Sequence, residues 1–218
     1  FGIDQTGVFE DQTAERLPID EEVGTRASIG DIDNDGDYDV IVANGTFTNQ
    51  TILPPQDFLL QINDGTGHYT NDANNRLPAT AFGTYYAAAA ILGDVDGDGD
   101  LDVFVANGTS SFQPILEELQ NRLWINDGSG VFSDQTASRL PITTDTCIHA
   151  AMGVIDGYGD LEIIVGYVGF AGFGDQNTIL INNGAGVFTD ETASRFPVIR
   201  DVTLGVTLED LDADGNLE

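Results

Sequence analysis

Residues 30–45 read GDIDNDGDYDVIVANG, and residues 93–108 read GDVDGDGDLDVFVANG. In both stretches, five aspartates stand on alternate positions directly before an apolar run. Carboxylates this close together repel one another unless a cation lies among them. The two stretches therefore predict a cation site, presented twice by the same kind of local structure.

The spacing of the acidic residues favours Ca²⁺. With Asp31 as position 1, carboxylates stand at positions 1, 3, 5 and 9, Gly36 at position 6 permits a sharp turn, and position 7 offers its carbonyl. Hard oxygen ligands in this number suit Ca²⁺ better than a transition metal. An EF-hand would need an acidic residue at position 12, which is Val42, and flanking helices. Strand-like sequence flanks this loop instead. The alternative without a metal ion is a solvated Asp-Gly turn.

The loops belong to a longer unit that repeats along the chain. Four segments align without gaps: GVFEDQTAERLP from 7, GHYTNDANNRLP from 67, GVFSDQTASRLP from 130 and GVFTDETASRFP from 186. The acidic loops recur in step with them, starting at Asp31, Asp94, Val154 and Asp210. The chain is therefore one unit of about 60 residues, repeated.

Each segment also carries an arginine, at Arg16, Arg76, Arg139 and Arg195. A structural role is the favoured interpretation, with the guanidinium pairing with an aspartate of its own segment, at Asp11, Asp134 or Asp190. The alternative is that these arginines bind an anionic ligand.

Within each unit, the local signals indicate four short strands. An apolar run leads into the acidic loop, a Val- and Ile-rich run follows it, a third run ends at an Asn/Asp-Gly turn, and the GVFxD segment comes last. Four antiparallel strands per repeat are typical of a propeller blade. The sequence therefore predicts a single all-β repeat domain of β-propeller blades. Its expected units are a partial blade at 1–20, blades at 21–78, 79–141 and 142–197, and a partial blade at 198–218.

The composition narrows the class of function. The chain of 218 residues carries 37 acidic residues against seven basic ones, all arginine, for a formal net charge of −30. That balance argues against nucleic acid, whose phosphates require a basic surface. Hydrophobic residues make up 41% of the chain, too many for a disordered acidic tail, and no apolar stretch approaches membrane-spanning length. An acidic protein of this kind fits cation binding, or a salt-rich or extracellular setting; the alternative is a surface whose acidic residues serve only solubility.

The acidic loops resemble those of the FG-GAP/VCBS repeats of the integrin α-subunit propeller and its bacterial relatives, whose pattern is D-x-D-x-D-G-x-x-D. The matching residues are Asp31, Asp33, Asp35, Asp37 and Asp39 in the first loop and Asp94, Asp96, Asp98, Asp100 and Asp102 in the second. The resemblance covers essentially the whole chain. It implies that each loop joins the first and second strands of a blade and binds one Ca²⁺.

The other two loops depart from this pattern. The third places Val154 and Tyr158 where carboxylates should stand, so only Asp156 and Glu162 remain as acidic side-chain ligands, and we expect no ion there. The fourth supplies a further ligand set, with Glu218 in the closing position. Its residues are Asp210, Asp212, Asp214, Asn216 and Glu218. The sequence therefore predicts Ca²⁺ at the first, second and fourth loops.

The remaining polar residues offer little catalytic chemistry, and we expect no enzyme. Cys147 and His149 stand two positions apart in an apolar run, so they share one side of a strand and are better read as packing residues than as a nucleophilic pair. Aspartates committed to Ca²⁺ cannot serve as general acids.

A ligand face is expected on the loops that follow the second strand of each blade, at 46–57, 109–120 and 168–176. These loops vary most between units, and their aromatic residues, Phe47, Phe112, Phe170 and Phe173, suit contacts with protein or glycan. The open alternative is that these aromatic side chains pack onto the blade edge. This face should lie opposite the calcium loops. Sequons begin at Asn44, Asn49 and Asn107 and are glycosylation candidates, although NGT is also ordinary turn chemistry.

The terminal units are incomplete: residues 1–16 supply a fourth strand alone, and residues 203–218 supply a first strand and its loop. The chain is therefore expected to be a piece of a longer propeller or a head-to-tail homo-oligomer or filament; the alternative is a monomer with frayed termini. The resemblance implies an extracellular or cell-surface protein with a role in adhesion, recognition or structural assembly. The alternatives are a carbohydrate-binding lectin and a non-catalytic module of a larger extracellular enzyme.

Overall fold

The computed structural model describes residues 2–3, 9–18, 24–44, 57–81, 87–108, 120–143, 147–168, 174–211 and 217. Its N-terminal part is a small antiparallel pair, β1 (Gly2–Ile3) with β2 (Phe9–Glu10), followed by one helical turn, α1 (Thr13–Arg16). The prediction that residues 1–16 supply a fourth strand alone was wrong, because β1 supplies a pairing partner for it.

Three four-stranded antiparallel sheets follow, each with its strands in chain order. The first blade consists of β3 (Gly24–Gly30), β4 (Asp39–Asn44), β5 (Leu59–Asn63) and β6 (Tyr69–Asn71), then α2 (Ala73–Arg76) and a 3₁₀ turn at Ala79–Ala81. The second consists of β7 (Ala87–Gly93), β8 (Asp102–Asn107), β9 (Arg122–Asn126) and β10 (Phe132–Asp134), then α3 (Thr136–Arg139).

The third blade consists of β11 (Cys147–Gly153), β12 (Glu162–Tyr167), β14 (Thr178–Asn182) and β15 (Phe188–Asp190), then α4 (Thr192–Arg195). A separate short pair joins β13 (Asp175–Gln176) to β16 (Arg200–Asp201). These sheets confirm the predicted all-β fold of four-stranded blades. They lie within residues 21–78, 79–141 and 142–197.

The hydrophobic core lies between the blades. Along β8, Val103 and Val105 belong to the cluster shared with the first blade, whereas Phe104 and Ala106 belong to the cluster shared with the third. Successive side chains of a strand point to opposite faces, so a strand covered on both sides must be apolar throughout. This explains why the run after each acidic loop is continuously hydrophobic. Trp124 packs edge-on against Phe58 of the preceding blade, with ring centroids 4.9 Å apart.

Four helical turns, α1 to α4, were not predicted. Each spans four residues of the repeated segment, and an aspartate or asparagine two residues before the turn accepts a hydrogen bond from its first backbone N–H in every copy: Asp11, Asn71, Asp134 and Asp190. These side chains therefore cap a turn. The acids expected to pair with the repeated arginines, Asp11, Asp134 and Asp190, have this capping role instead.

Residues 202–211 lie against the third blade without forming a strand. The backbone N–H of Thr203 donates to the carbonyl of Tyr167 over 3.0 Å, and that of Val206 donates to Nδ1 of His149 over 3.1 Å. The strand predicted from residue 203 is therefore absent from 202–211.

The neighbouring Cys147 is fully buried, which raises the pKa of its thiol, and its sulfur contacts the His149 carbonyl rather than the ring.

Candidate metal sites

The acidic loops connect the first and second strands of each blade, as the resemblance implied. The strand pairs that frame them end at Gly30 opposite Asp39, Gly93 opposite Asp102, and Gly153 opposite Glu162. A methyl group at Gly30 would collide with the Leu101 side chain of the next blade. The glycine before the loop therefore lets adjacent blades approach each other at this edge.

The closing carboxylate at position 9 ties each loop to its sheet. Asp39 is fully buried and accepts hydrogen bonds from the backbone N–H groups of Ile32 (3.0 Å) and Asn63 (2.8 Å). Asp102 is equally buried and accepts the matching pair, from Val95 at 3.1 Å and Asn126 at 2.9 Å. Glu162 accepts one such bond, from Ile155 at 2.7 Å.

The first carboxylate of the loop shapes its turn. Asp31 accepts hydrogen bonds from the backbone N–H groups of Asp35 (3.1 Å) and Gly36 (3.0 Å). Asp94 accepts from Gly97 at 2.8 Å and Gly99 at 3.0 Å. The glycine at position 6 has a φ of 94° in the first loop and 96° in the second, a conformation that disfavours other residues.

Three carboxylates converge in each loop. The clusters are Asp31, Asp33 and Asp39 in the first loop and Asp94, Asp96 and Asp102 in the second, with potential ligand oxygens within 4.8 Å of one another. Asp35 and Asp98, at position 5, are not members; each accepts the N–H two residues later, from Asp37 and Asp100. The structure thus brings together positions 1, 3 and 9 of the predicted ligand set.

The third loop also holds a cluster of three, made of Asp156, Asp160 and Glu162. Only Asp156 and Glu162 were expected as acidic ligands, because position 7 was expected to contribute its carbonyl. Here the carboxylate of Asp160, at position 7, joins them. The expectation that Asp156 and Glu162 are the only acidic side-chain ligands was therefore wrong, and the expectation that this loop holds no ion stays a prediction.

Each cluster contains a buried carboxylate oxygen without a hydrogen-bond partner: Asp33 Oδ1, Asp96 Oδ1 and Glu162 Oε1. A buried polar atom left unpaired is destabilising by about 1–3 kcal/mol, so most such atoms in proteins have a partner. An oxygen-seeking divalent cation would satisfy these atoms and neutralise the converging charges. The residues therefore fit Ca²⁺.

Burial raises the pKa values of four clustered carboxyls, Asp39, Asp96, Asp102 and Glu162. Desolvation raises the pKa of Asp102 to about 7, against the opposing effect of its two backbone hydrogen bonds. Desolvation likewise raises the pKa values of Asp39, Asp96 and Glu162, and nearby carboxylates add to the effect. A cation in the cluster would act in the opposite direction and favour the ionised forms.

The repeated arginines link each acidic loop to the next blade. Arg76 forms an ion pair with Asp33 of its own blade at 3.2 Å and donates to the carbonyl of Ser129, in the following blade, at 2.6 Å. Arg139 does the same with Asp96 (3.1 Å) and Ala185 (2.6 Å). The predicted structural role holds. Arg76 does pair with an aspartate of its own segment, Asp72 at 2.8 Å, but its other partners lie elsewhere in the sequence.

The other predicted site residues have varied positions. Asp210 is exposed, and Asp212, Asp214, Asn216 and Glu218 lie outside the described residues.

Asn44 is fully buried and donates to the Asp57 carbonyl, and Asn107 is buried and donates to the Gln120 carbonyl. A glycan cannot be attached to either amide in this packing, so these two sequon predictions do not fit the structure. Asn49 and the loop residues Phe47, Phe112, Phe170 and Phe173 lie outside the described residues.

Among the residues that the structure describes, no helix has the length and apolar character needed to cross a membrane. A comparison with curated proteins found no match to the chain. The model of a family described as FG-GAP-like repeat matches residues 31–105 and 94–165, which together span more than half of the chain. Each match begins at the first aspartate of an acidic loop and runs into the next blade. The chain belongs to the FG-GAP-like repeat family.

Proposed function

We propose that this chain is an extracellular, non-enzymatic Ca²⁺-binding repeat protein that serves adhesion, recognition or structural assembly. FG-GAP repeats are typical of extracellular proteins. Extracellular Ca²⁺ modules bind with dissociation constants of about 10⁻⁴–10⁻³ M, a range suited to loops with few carboxylate ligands. The formal charge of −30 is consistent with a protein that works in the presence of free divalent cations.

The observation that carries the proposal is the unpaired, buried carboxylate oxygen in each acidic cluster. Without a cation, the first two loops each hold three converging carboxylates, and burial raises the pKa of the closing acids Asp39 and Asp102. One Ca²⁺ per loop removes both penalties, because it supplies the missing partner and the missing positive charge.

The role of the metal follows from what the loops contact. Asn126, in the second blade, donates its side-chain amide to the carbonyl of Ile32 in the first loop over 2.8 Å. Asn182, in the third blade, donates to Val95 in the second loop over 2.7 Å. An ion that fixes the loop therefore also fixes the contact between blades. We infer that Ca²⁺ makes the stacked blades a rigid scaffold, which suits recognition or assembly.

Calorimetric unfolding in Ca²⁺ and in EDTA tests the proposal. We expect a clearly higher Tm in Ca²⁺, because an ion that binds only the native state stabilises it by mass action. Asp96→Ala should reduce that gain. Asp127→Asn is the matched control, because it removes one negative charge from the same edge and the third blade already carries Asn183 there. Equal Tm values in Ca²⁺ and EDTA would contradict the proposal.

A further inference from the structure

A pocket opens at the loop edge between the second and third blades. Its volume is about 590 Å³, within the usual range for small-ligand sites. The residues that matter here are Gly97 of the second loop, Tyr158 and Asp160 of the third loop, and Asn183 and Gly184 of the hairpin between β14 and β15. At three equivalent positions, the junction between the first and second blades carries different residues.

The first difference opens the pocket. Between the first and second blades, Asn34 donates its amide to Oδ1 of Asp100 at 2.6 Å and to the carbonyl of Gly128 at 3.3 Å. The equivalent of Asn34 in the second loop is Gly97, around which a Cβ would find nothing within 4 Å. The equivalents of its two acceptors, Asp160 and Gly184, both line the pocket and receive no such amide. One Asp160 oxygen belongs to the third carboxylate cluster, so its other oxygen and the Gly184 carbonyl are left for another donor.

The second difference adds an aromatic surface. Position 5 is aspartate in the first two loops and Tyr158 in the third, where the side chain is 87% exposed. A tyrosine ring presents a large apolar face together with a hydroxyl group, a combination suited to ligands that are apolar on one side and polar on the other. An exposed ring at the rim of a polar pocket can stack against the C–H face of a sugar.

The third difference adds a hydrogen-bond donor. The third sheet strand of each blade ends in an asparagine: Asn63, Asn126 and Asn182. The next residue, in the hairpin, is Asp64 in the first blade, Asp127 in the second and Asn183 in the third. The carbonyl oxygen of Asn183 accepts from Ala185 and Val187 within the turn. Its NH₂ group makes no hydrogen bond within the described part of the chain. At this hairpin position, the pocket therefore offers a hydrogen-bond donor, whereas the other two blades offer a carboxylate.

We propose that this pocket is a carbohydrate-binding site. Neighbouring sugar hydroxyls both donate and accept, which matches the acceptors Asp160 and Gly184 and the donor Asn183, while Tyr158 stacks on the ring. A cationic ligand could use the acceptors and the aromatic face, but its ammonium or guanidinium group has no acceptor for the NH₂ group of Asn183. The site lies on the edge that carries the acidic loops, not on the opposite face expected from the sequence.

The sharpest test closes the pocket with a residue that the chain already uses. Gly97→Asn copies Asn34 into the second loop, and the positive φ there, 79°, is close to the 60° that Asn34 adopts. Asparagine tolerates this conformation better than most residues. The new amide can reach the equivalents of its natural acceptors, so the variant should fold. Asn34→Gly is the matched control, because it opens the other junction, which lacks the tyrosine and the asparagine.

Binding of a panel of methyl glycosides of neutral sugars, measured by saturation-transfer NMR and calorimetry in Ca²⁺ buffer, gives the readout. We expect at least one glycoside to bind, with affinity reduced about tenfold or more by Gly97→Asn and by Tyr158→Ala. Asn34→Gly should leave that affinity unchanged. Binding by no glycoside, or binding that survives both pocket variants, would overturn the proposal.

Argininamide serves as the cationic probe. If it binds, and Asn183→Asp strengthens its binding while no glycoside binds, the pocket is a cation site and the proposal is wrong. The pocket shares Asp94 and Asp160 with the carboxylate clusters of the second and third loops, but the first loop contributes no residue to it. Ca²⁺ binding at the first loop of the same variants should therefore match the wild type, which keeps this test distinguishable from that of the proposed function.

Discussion

The second and third loops share a backbone but not a set of side chains. The position-6 glycine has a φ of 96° in both, the closing acid is fully buried in both, and the hairpin asparagine donates to the preceding loop in both. Only the third loop replaces the carboxylates at positions 1 and 5, with Val154 and Tyr158. The carboxylates at positions 1 and 5 are therefore not required for this loop backbone.

The difference shows which acids belong to the fold. The closing acid bonds backbone N–H groups in all three loops, so it holds the strand pair together whether or not an ion is bound. The acid at position 1 bonds only its own loop and can become valine without changing the turn. We infer that position 9 is required for stability and that position 1 serves metal affinity.

The largest effect is expected from removing the closing acid. Asp102→Ala leaves the buried N–H groups of Val95 and Asn126 unpaired, a loss of about 2–6 kcal/mol in the free energy of unfolding. Glu162→Ala leaves only that of Ile155 and should cost about half as much. Urea unfolding in EDTA measures both without any contribution from metal. A loss below about 1 kcal/mol for Asp102→Ala would show that the closing acid serves metal alone.

The next effect concerns the arginines that connect loop and blade. The Arg139 guanidinium uses two nitrogens to reach both Asp96 and the carbonyl of Ala185, and a lysine ammonium cannot span both. We therefore expect Arg139→Lys to lower the free energy of unfolding by about 1–3 kcal/mol. Arg195→Lys is the matched comparison. The hydrogen bond of Arg195 to Glu191 lies within one exposed helical turn, and such pairs contribute about 0.5 kcal/mol or less. Equal losses in urea unfolding would contradict the bridging role.

Much of this architecture could be predicted from the sequence. The 60-residue repeat, the Asn/Asp-Gly turns and the continuous apolar run of β8 predicted four-stranded blades, and the structure contains them. The four helical turns were missed because four residues are too short to show a helical period. Their capping aspartates, such as Asp134 before α3, were the available signal.

The metal sites were predictable only in part. Positions 1, 3 and 9 converge as the spacing indicated, because a turn of fixed length places them together. Asp160 was missed because position 7 was expected to contribute its backbone carbonyl, whereas here its carboxylate belongs to the cluster. The partners of Arg76 were missed because one of them, Ser129, lies 53 residues away in the next blade. Contacts between repeats depend on how blades stack, which local sequence does not specify.

A smaller effect is expected from restoring the acidic pattern in the third loop. Val154→Asp with Tyr158→Asp recreates positions 1 and 5 of the second loop on the same backbone. More carboxylate ligands raise Ca²⁺ affinity, so we expect the third loop to bind at least about tenfold more tightly. Calorimetric titration of the double variant measures the change. Unchanged binding would show that the backbone, not the acids, limits the third loop.

The smallest effect is a dependence of stability on pH. Because the native pKa of Asp102 is raised to about 7, and those of Asp39, Asp96 and Glu162 are also raised, the metal-free native state holds protons that the unfolded chain has released. Its stability should therefore fall as pH rises from about 4 to about 7. Ca²⁺ should flatten this trend by displacing the protons. Tm values in EDTA that rise with pH across this window would contradict the account.

The most direct test of Ca²⁺ binding is calorimetric titration of the metal-free chain with Ca²⁺, compared among the wild type, Asp33→Ala and Asp96→Ala. The account predicts saturable binding in the wild type, with each variant losing one ion and keeping the site in the other loop. Absence of saturable binding, or an unchanged number of bound ions in both variants, would contradict the assignment of the first two acidic loops as Ca²⁺ sites.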